Sequence, residues 1–518
     1  MKKLISIDIG STYTKGVLFH KNSDNEYHLN LINRVQVPTT TNHLADGFFD
    51  VLKKLLMNSE NEKIDEKNND IDIFYSSSAK GGLNIIAIGI VPELTLKTAR
   101  LAALSAGGKI TKSYSYRLTI KNIEEIDKEK PDIILLTGGT DGGNEDINIH
   151  NSKMLCNLSN RPVILYAGNS SCADQINEIL SNKNFDVTIT ENVLPNIDNI
   201  NINPAKNSIR EIFLQNIIHG KGLDVIYDKI GFLPEPTPLS VFNFISIIPE
   251  NVKKIKESLL KVILAGESNN KNIDILNLEK ILEKDWESFI AIDLGGATTD
   301  FYSYHKDIVE DSSIMVRGLH EPTVKRTVEG DLGMRVSAKA VLDSGSEFLK
   351  IIAKDNKLKV SEDQFIKIFS DYIEKVSKNT SYIPLDENEK YFDEIIAAIC
   401  VRLSSLRHAG KYRRIFTVNG ERLIQYGKNL KPVKTVIGSG GYLSYMDDFI
   451  PKKYLTFSYE NFFNKSSFYE VEEEISLLPE TIEYLQDKDY LLPLLANISK
   501  KYPLESTLFL LENLVIKG

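Results

Sequence analysis

The sequence predicts an α/β protein of two related lobes, with an inserted α/β domain and a helical C-terminal region. The first observation behind this prediction is an internal repeat: residues 5–18 read ISIDIGSTYTKGVL and residues 290–303 read IAIDLGGATTDFYS. The second is the alternation of strand-like and helical runs over residues 83–196, which predicts βαβ units on a parallel sheet. The third is the helical apolar spacing of the C-terminal segment, as in YLLPLLANISKKY.

The chain is long enough for several domains. It has 518 residues, of which 42% are hydrophobic, and this predicts about two to four domains. We expect a first lobe (1–82), an inserted Rossmann-like α/β domain (83–196), the remainder of the first lobe with connecting helices (197–288), a second lobe (289–447) and a helical C-terminal region (448–518).

Composition excludes two classes of partner. The net charge is −9 with no stripe of lysine and arginine, so we expect no nucleic-acid partner. No apolar stretch approaches the ~18 residues of a membrane span, so we expect no membrane partner. The start MKKLISIDIGST reads as a strand and the three cysteines are widely spaced. Together these features predict a cytoplasmic protein without a disulfide framework.

The elements follow in order. A β-hairpin is predicted over residues 1–20, a helix over 44–57, and a strand over 71–75 that leads into SSSAKGG. Residues 205–284 are predicted to be largely helical with a break at 231–236, and a new strand begins near residue 289. Mixed α/β structure is predicted from there to residue 447.

The repeated hairpins carry the predicted chemistry. Asp8 and Asp293 each stand where a strand ends, in what we expect to be an exposed cleft, and such carboxylates can hold Mg²⁺ through waters. Both are the predicted catalytic and metal residues, and Asp293 is also placed to orient an attacking water. Glycine and hydroxyl residues in the turns offer backbone and side-chain donors to phosphate. The predicted phosphate-binding residues are Gly10, Ser11, Thr12, Lys15, Gly295, Gly296, Thr298 and Thr299.

One such hairpin alone is also typical of an ordinary turn. Two matching copies, each opening a lobe, instead favour a nucleotide cleft of the actin, Hsp70 and sugar-kinase class. ATP and Mg²⁺ are therefore the predicted cofactors.

Other glycine-rich turns follow predicted strands. The segment TVIGSGGYL suggests a turn that packs the adenosine, formed by Gly438, Ser439, Gly440 and Gly441. In VEGDLGM, Glu329 is a candidate for a ribose hydroxyl and Asp331 for the metal, although either could equally cap a helix. The segment LTGGTDGGN (136–144) lacks GxGxxG spacing, and an ordinary turn is favoured there over an anion or ligand site.

Several segments together resemble the MutL/GlmL family of accessory proteins, which are encoded beside glutamate mutase. This family is distinct from the DNA mismatch-repair protein that is also called MutL. They are DIGSTYTKGVLF, SSSAKGGL, IGIVPELTLKTARLAALSAGGKI, LLTGGTDGGN, IDLGGATTDFYS, RTVEGDLGMRVSA, RHAG and VIGSGGYL. The resemblance implies an actin-like ATPase fold with ribonuclease-H-like lobes. It also implies a protein client, an adenosylcobalamin-dependent mutase, which the protein reactivates as a chaperone. Lys80 stands where the family usually has a small residue.

Two other functions share the predicted fold. A small-molecule kinase would need a base beside its substrate hydroxyl, usually an aspartate, and no separate sugar-recognition pattern is present. A filament-forming actin relative is disfavoured by the insert and the helical tail. The ATP-driven reactivase is the leading hypothesis, and phosphoryl transfer to a panel of sugars and acids would distinguish the kinase.

Overall fold

The computed structural model describes residues 2–21, 27–40, 42–57, 71–78, 83–197, 199–218, 222–264, 275–307, 314–354, 356–417, 420–449, 451–456 and 474–517. Residues 79–82, which include Lys80, lie outside these ranges. The chain forms two compact units. The larger contains Met1–Ala79, Pro234–Val316 and Glu321–Gly518, and the smaller contains Lys80–Leu233 with Arg317–His320.

The larger unit holds two sheets of the same design. The first has the strands Lys2–Ile9 (β1), Tyr13–Lys21 (β2), Leu29–Pro38 (β3), Ile71–Ser77 (β4) and Glu235–Pro236 (β10). The second has the strands Ser288–Leu294 (β11), Thr299–His305 (β12), Val324–Glu329 (β14), Thr435–Ser439 (β17), Glu483–Asp487 (β19) and Leu514–Lys517 (β20).

The strand orders of the two sheets correspond. They are β3–β2–β1–β4–β10 and β14–β12–β11–β17–β19, with β20 added at the edge of the second. In each sheet the first three strands are antiparallel, and the next two run parallel to the central strand. The repeat seen in the sequence therefore extends from one hairpin to five strands.

Helices cover both sheets. Those of the larger unit are Leu44–Leu56 (α1), Thr237–Leu264 (α8), Ile275–Leu282 (α9), Ala338–Ser344 (α10), Ser346–Lys354 (α11), Glu362–Lys378 (α12), Glu387–His408 (α13), Gly441–Tyr445 (α14), Lys452–Leu455 (α15), Leu492–Ile498 (α16) and Pro503–Asn513 (α17). A small sheet of Met315–Val316 (β13), Lys411–Thr417 (β15), Gly420–Tyr426 (β16) and Glu474–Ser476 (β18) completes the unit. No helix of the described ranges is long and apolar enough to cross a membrane.

The central strand of the second sheet separates two cores. Phe289 and Ala291 pack in a core that also holds residues of the first sheet and α8, such as Leu4 and Phe244. Ile290 and its alternate neighbours Ile292 and Leu294 pack in the other core, among α10 to α13. This follows from the period of two along a strand, and it explains why β11 is apolar on both faces except at its carboxyl end.

The C-terminal region corrects one expectation. We predicted residues 448–518 to be helical, but β18, β19 and β20 lie there and two of them extend the second sheet. The apolar runs are short, and periodicity alone does not separate a short buried strand from a helix. Packing against β17 decides the outcome for β19.

The smaller unit is a parallel α/β fold. Its strands Asn84–Gly89 (β5), Lys109–Ser115 (β6), Ile133–Leu136 (β7), Val163–Tyr166 (β8) and Val187–Ile189 (β9) are all parallel in the order β6–β5–β7–β8–β9. This confirms the predicted βαβ alternation. Its helices are Lys97–Ser105 (α2), Ile120–Glu129 (α3), Asp146–Leu155 (α4), Ala173–Ser181 (α5), Asn203–Ile218 (α6) and Leu223–Ile230 (α7). The last two follow residue 196, beyond the insert boundary that we expected.

Candidate functional site

The turns of the two repeated hairpins have matching backbones. Gly10 N donates to Tyr13 O at 3.0 Å, and Gly295 N donates to Thr298 O at 2.9 Å. A β-carbon on Gly10 would lie 2.7 Å from Tyr13 O, so the turn accepts only glycine there without a shift. The predicted similarity of the two turns therefore holds at the level of individual hydrogen bonds.

The structure brings the two turns together. A β-carbon on Gly296 would lie 2.9 Å from Thr12 Oγ1. The Thr12 hydroxyl is buried and has no hydrogen-bond partner among the residues that the structure describes. A buried polar group of this kind costs free energy unless something satisfies it, so the Thr12 hydroxyl is a candidate ligand contact where the hairpins meet.

Asp8 is buried at the end of β1, which corrects our expectation that it is exposed. Its side chain accepts hydrogen bonds from Thr237 Oγ1 at 2.6 Å, Ser76 Oγ at 3.2 Å and Tyr490 Oη at 3.3 Å. The residue is only 1% exposed, because β10, the start of α8 and the C-terminal segment close around it. Burial raises the pKa of Asp8, while the Thr237 bond and the charge of Lys15 act in the opposite direction.

Lys15 stands opposite Asp8 in the register of β1 and β2. It is 9% exposed, and its ammonium lies 3.2 Å from the centre of the Tyr490 ring. Burial lowers the pKa of Lys15 to about 8, although Asp8 and then Asp293 favour the charged form. The charges of aspartates from both hairpins thus act on Lys15.

Asp293 ends β11 as Asp8 ends β1, but its surroundings differ. Burial raises the pKa of Asp293 to about 7, and the nearby charges of Asp300, Asp8 and Asp487 add to the effect. No hydrogen bond to the Asp293 carboxylate is found within the described part of the chain. The Asp293 carboxylate therefore has fewer hydrogen bonds within the protein than that of Asp8, and it is better able to bind a metal ion or a water.

Two further residues of the site escaped the sequence analysis. Asp487 ends β19 and accepts hydrogen bonds from Ser439 Oγ at 2.7 Å and from Leu491 N at 2.7 Å. Tyr490 follows three residues later and contacts Asp8 and Lys15. The signal for Asp487 was an acidic residue closing the strand EYLQD, as in the two hairpins, but we had assigned that segment to helices.

Several predicted ligands are engaged by the protein itself. The Thr299 hydroxyl donates to Leu332 O at 2.8 Å, Ser439 donates to Asp487, and Glu329 accepts from Arg407 at 2.7 Å. Asp331 is held by the same arginine. Contact of these groups with a nucleotide would require those bonds to rearrange.

The glycines of the predicted adenosine turn differ in their surroundings. A β-carbon on Gly438 would lie 2.1 Å from Tyr484 Oη, and one on Gly440 would lie 2.3 Å from Leu294 O. Gly440 also has φ +97°. These two glycines are therefore required by packing, whereas a β-carbon on Gly441 would meet nothing within 4 Å. Only Gly441 leaves open space beside the turn.

The charges of the site fit a divalent cation held together with a phosphate. Asp8, Asp293 and Asp487 outnumber Lys15, and burial raises the pKa of each carboxyl group. No cluster of three or more metal-ligating side chains occurs in the ranges described, so a cage built from protein alone is not formed there. Mg²⁺ is usually held by one or two carboxylates with water and substrate phosphates, and Asp8 and Asp293 suit that arrangement.

Comparison with known proteins then gives the family. The sequence model of the MutL protein family matches residues 4–265 and 274–514. The chain belongs to the MutL protein family. The curated Protein MutL of Clostridium tetanomorphum is 34% identical over 504 residues, covering 97% of each chain. The resemblance drawn from the motifs is thereby confirmed.

Solved structures match the chain only distantly. A nucleotide-free acetone carboxylase aligns at 10% identity and TM-score 0.33, over 85% of this chain and 65% of that chain. A nucleotide-free diol dehydratase-reactivating factor aligns at 10% identity and TM-score 0.28, over 89% and 95% of the two chains. The family assignment therefore rests on the sequence matches.

Proposed function

We propose that this protein is a Mg²⁺-dependent ATPase that reactivates an adenosylcobalamin-dependent mutase, such as glutamate mutase. The observation that carries the ATPase part is the pair of matching hairpins whose turns meet, with Lys15 opposite Asp8 on the first hairpin and Asp293 on the second. Membership of the MutL family supports the part that concerns the mutase.

The site supports ATP because its parts suit a polyphosphate. The unsatisfied Thr12 hydroxyl and the Lys15 ammonium would contact phosphate oxygens. Asp8 and Asp293 would hold Mg²⁺, which supplies charge neutralisation of the phosphates when bound. Asp293, which carries no hydrogen bond in the described chain, would orient the attacking water.

The two sheets suggest how ATP would do work on a client. Each hairpin belongs to a different sheet of the same design, and a nucleotide that contacts both hairpins would favour one arrangement of the sheets over another. Client affinity would then differ between the nucleotide states, and a tenfold difference corresponds to about 1.4 kcal/mol. Release of damaged cobalamin from the mutase is the step that this difference would drive.

The test begins with purified mutase that has been inactivated with hydroxocobalamin. This protein, Mg-ATP and fresh adenosylcobalamin are added, and mutase activity is followed. Recovery should require both the protein and hydrolysable ATP, and it should fail with Asp293→Ala. If candidate mutases of the same organism neither bind the protein nor recover, the reactivase proposal is wrong.

A kinase would be recognised in a parallel assay. Asp487 is the additional aspartate near the site, but its carboxylate is already bonded to Ser439 and to two backbone N–H groups, those of Leu491 and Leu492. It is therefore poorly suited to take a proton from a substrate hydroxyl. ATP-dependent phosphorylation of a sugar or acid from a panel would nevertheless make the small-molecule kinase the leading function.

A further inference from the structure

Tyr490 occupies the space between the two charged residues of the first hairpin. Its ring covers the Lys15 ammonium at 3.2 Å, and its hydroxyl donates to Asp8 Oδ2 at 3.3 Å. The residue is 8% exposed and Lys15 is 9% exposed. A ring at this distance shields that face of the ammonium from a ligand phosphate.

The backbone of Tyr490 is held in a conformation that a tyrosine seldom adopts. Its φ is +54°, in the left-handed region that disfavours bulky side chains. Contacts on either side maintain it: Asp487 accepts from Leu491 N and Leu492 N, and Asp489 pairs with Arg34 at 2.9 Å. A strained residue fixed by its neighbours at a site can relax when those contacts change.

The segment around Tyr490 connects the two sheets. It leaves β19 in the second sheet and enters α16, which packs on the first sheet. Ser6 Oγ donates to Leu494 O at 2.7 Å, and Asn497 Nδ2 donates to Ile7 O at 3.3 Å. Ser439 of β17 meanwhile bonds to Asp487 at the start of the same segment. Movement of Tyr490 would therefore act on the crossover between the sheets.

We propose that Tyr490 is a displaceable cover on Lys15, which nucleotide phosphate pushes aside, and that its displacement loosens the crossover formed by residues 487–498. This inference rests on the proposed ATP site and adds a means by which that site senses phosphate. A cation–π contact with Lys15 and the hydrogen bond to Asp8 stabilise the Tyr490 side chain in this position. The incoming phosphate replaces both contacts with a stronger charge pairing to Lys15.

The test compares nucleotide affinities of the full chain by calorimetry. Tyr490→Gly removes the ring and suits a positive φ, so ATP should bind about tenfold more tightly, as expected for loss of a buried cation–π contact. Adenosine, which carries no phosphate, should bind with unchanged affinity. Unchanged or weaker ATP binding by the folded variant would overturn the inference.

Tyr502→Leu is a matched control. Tyr502 also donates to an aspartate, Asp72 at 2.7 Å, and has a lysine, Lys21, near its ring, but it lies outside the nucleotide site. This variant should bind ATP like the parent protein.

A second variant serves if Tyr490→Gly does not fold. Tyr490→Phe loses only the hydrogen bond to Asp8 and should still bind ATP about threefold more tightly than the parent protein. No gain in ATP affinity would overturn the inference.

Hydrogen exchange of the unmodified protein gives a second measurement. Mg-ATP should increase amide exchange in residues 487–498, and adenosine should not. No change in exchange while ATP binds would overturn the inference but leave the proposed ATPase intact. If the unmodified protein binds no ATP, the proposed function itself is wrong and the inference falls with it.

Discussion

The two hairpins share a backbone but differ in what stands opposite the aspartate. Asp8 faces Lys15 across β1 and β2, whereas Asp293 faces Asp300 across β11 and β12. Asp300 is neutralised by Arg326, whose Nε lies 2.8 Å from its Oδ1, and both residues are buried. The equivalent position thus supplies a cation to the site in one copy and a fixed internal ion pair in the other.

The difference continues in the neighbouring strands. Ser76 of β4 pairs with Asp8, and Ser439 of β17 pairs with Asp293, in the same parallel register. Ser76 donates to its aspartate, but Ser439 donates to Asp487 instead. The first aspartate is therefore fixed by hydroxyl groups, while the second accepts no hydrogen bond within the described residues.

The largest effect expected from this comparison concerns Asp300. Asp300→Ala would remove the carboxylate that neutralises the buried Arg326 guanidinium, so the free energy of unfolding should fall by about 3–5 kcal/mol, measured by urea denaturation. Arg326→Met in the same chain should restore much of the loss, because an apolar replacement of both partners is often tolerated. Lys15→Met, at the equivalent position, should destabilise less. Equal losses at the two positions would refute the distinction between them.

The second prediction separates the two aspartates. Asp293→Ala should lower ATP hydrolysis about 100-fold or more, since positioned charge dominates phosphoryl transfer, without lowering the thermal midpoint. Asp8→Ala should also lose hydrolysis but should unfold at a lower temperature, because three hydroxyl groups lose their acceptor. Hydrolysis and thermal unfolding are measured on the same preparations. Appreciable hydrolysis by Asp293→Ala would exclude its assigned role.

The third prediction concerns the turn after β17. This strand lies beside β11, which carries the second aspartate. Gly441→Val should leave folding intact and weaken ATP binding about tenfold, since a side chain would fill the open space beside Gly441 at a cost of about 1.4 kcal/mol. Gly440→Ala should instead destabilise the fold, because the added methyl group would meet Leu294 O and residue 440 has a positive φ. Unchanged ATP affinity in folded Gly441→Val would place the adenosine elsewhere.

Much of the framework was predictable from particular residues. The repeat around Asp8 and Asp293 gave both central hairpins, and the alternation over 83–196 gave the parallel sheet, because each signal is local in the sequence. Tyr490 left no such signal, and the acidic end of EYLQD did not reveal Asp487 because we had assigned that segment to helices. They reach the site only because β19 joins the second sheet and α16 packs on the first, and such long-range pairing leaves no periodic mark. The burial of Asp8 was missed for the same reason, since Thr237 and Tyr490 are distant in the chain.

The finest test of the comparison is the pH dependence of stability. Burial raises the pKa of Asp293 from its ordinary value of 3.8 to about 7, so the folded state holds a proton there that the unfolded state releases. The stability that this proton contributes is fully present below about pH 4 and is lost as the pH rises to about 7. Asp293→Asn does not titrate, so the difference in unfolding free energy between the parent and this variant isolates the effect.

That difference should decline from pH 4 to 7, by at most about 1.4 kcal/mol per pH unit, and should be flat above pH 7. The charges of Asp300, Lys15, Asp8 and Asp487 are common to both proteins, so their own titration largely cancels in the subtraction. Mg²⁺ should flatten the decline, because a bound cation favours the ionised carboxylate. Parallel stability curves for the two proteins would mean that Asp293 is ionised throughout this range, and the raised pKa of Asp293 would be refuted.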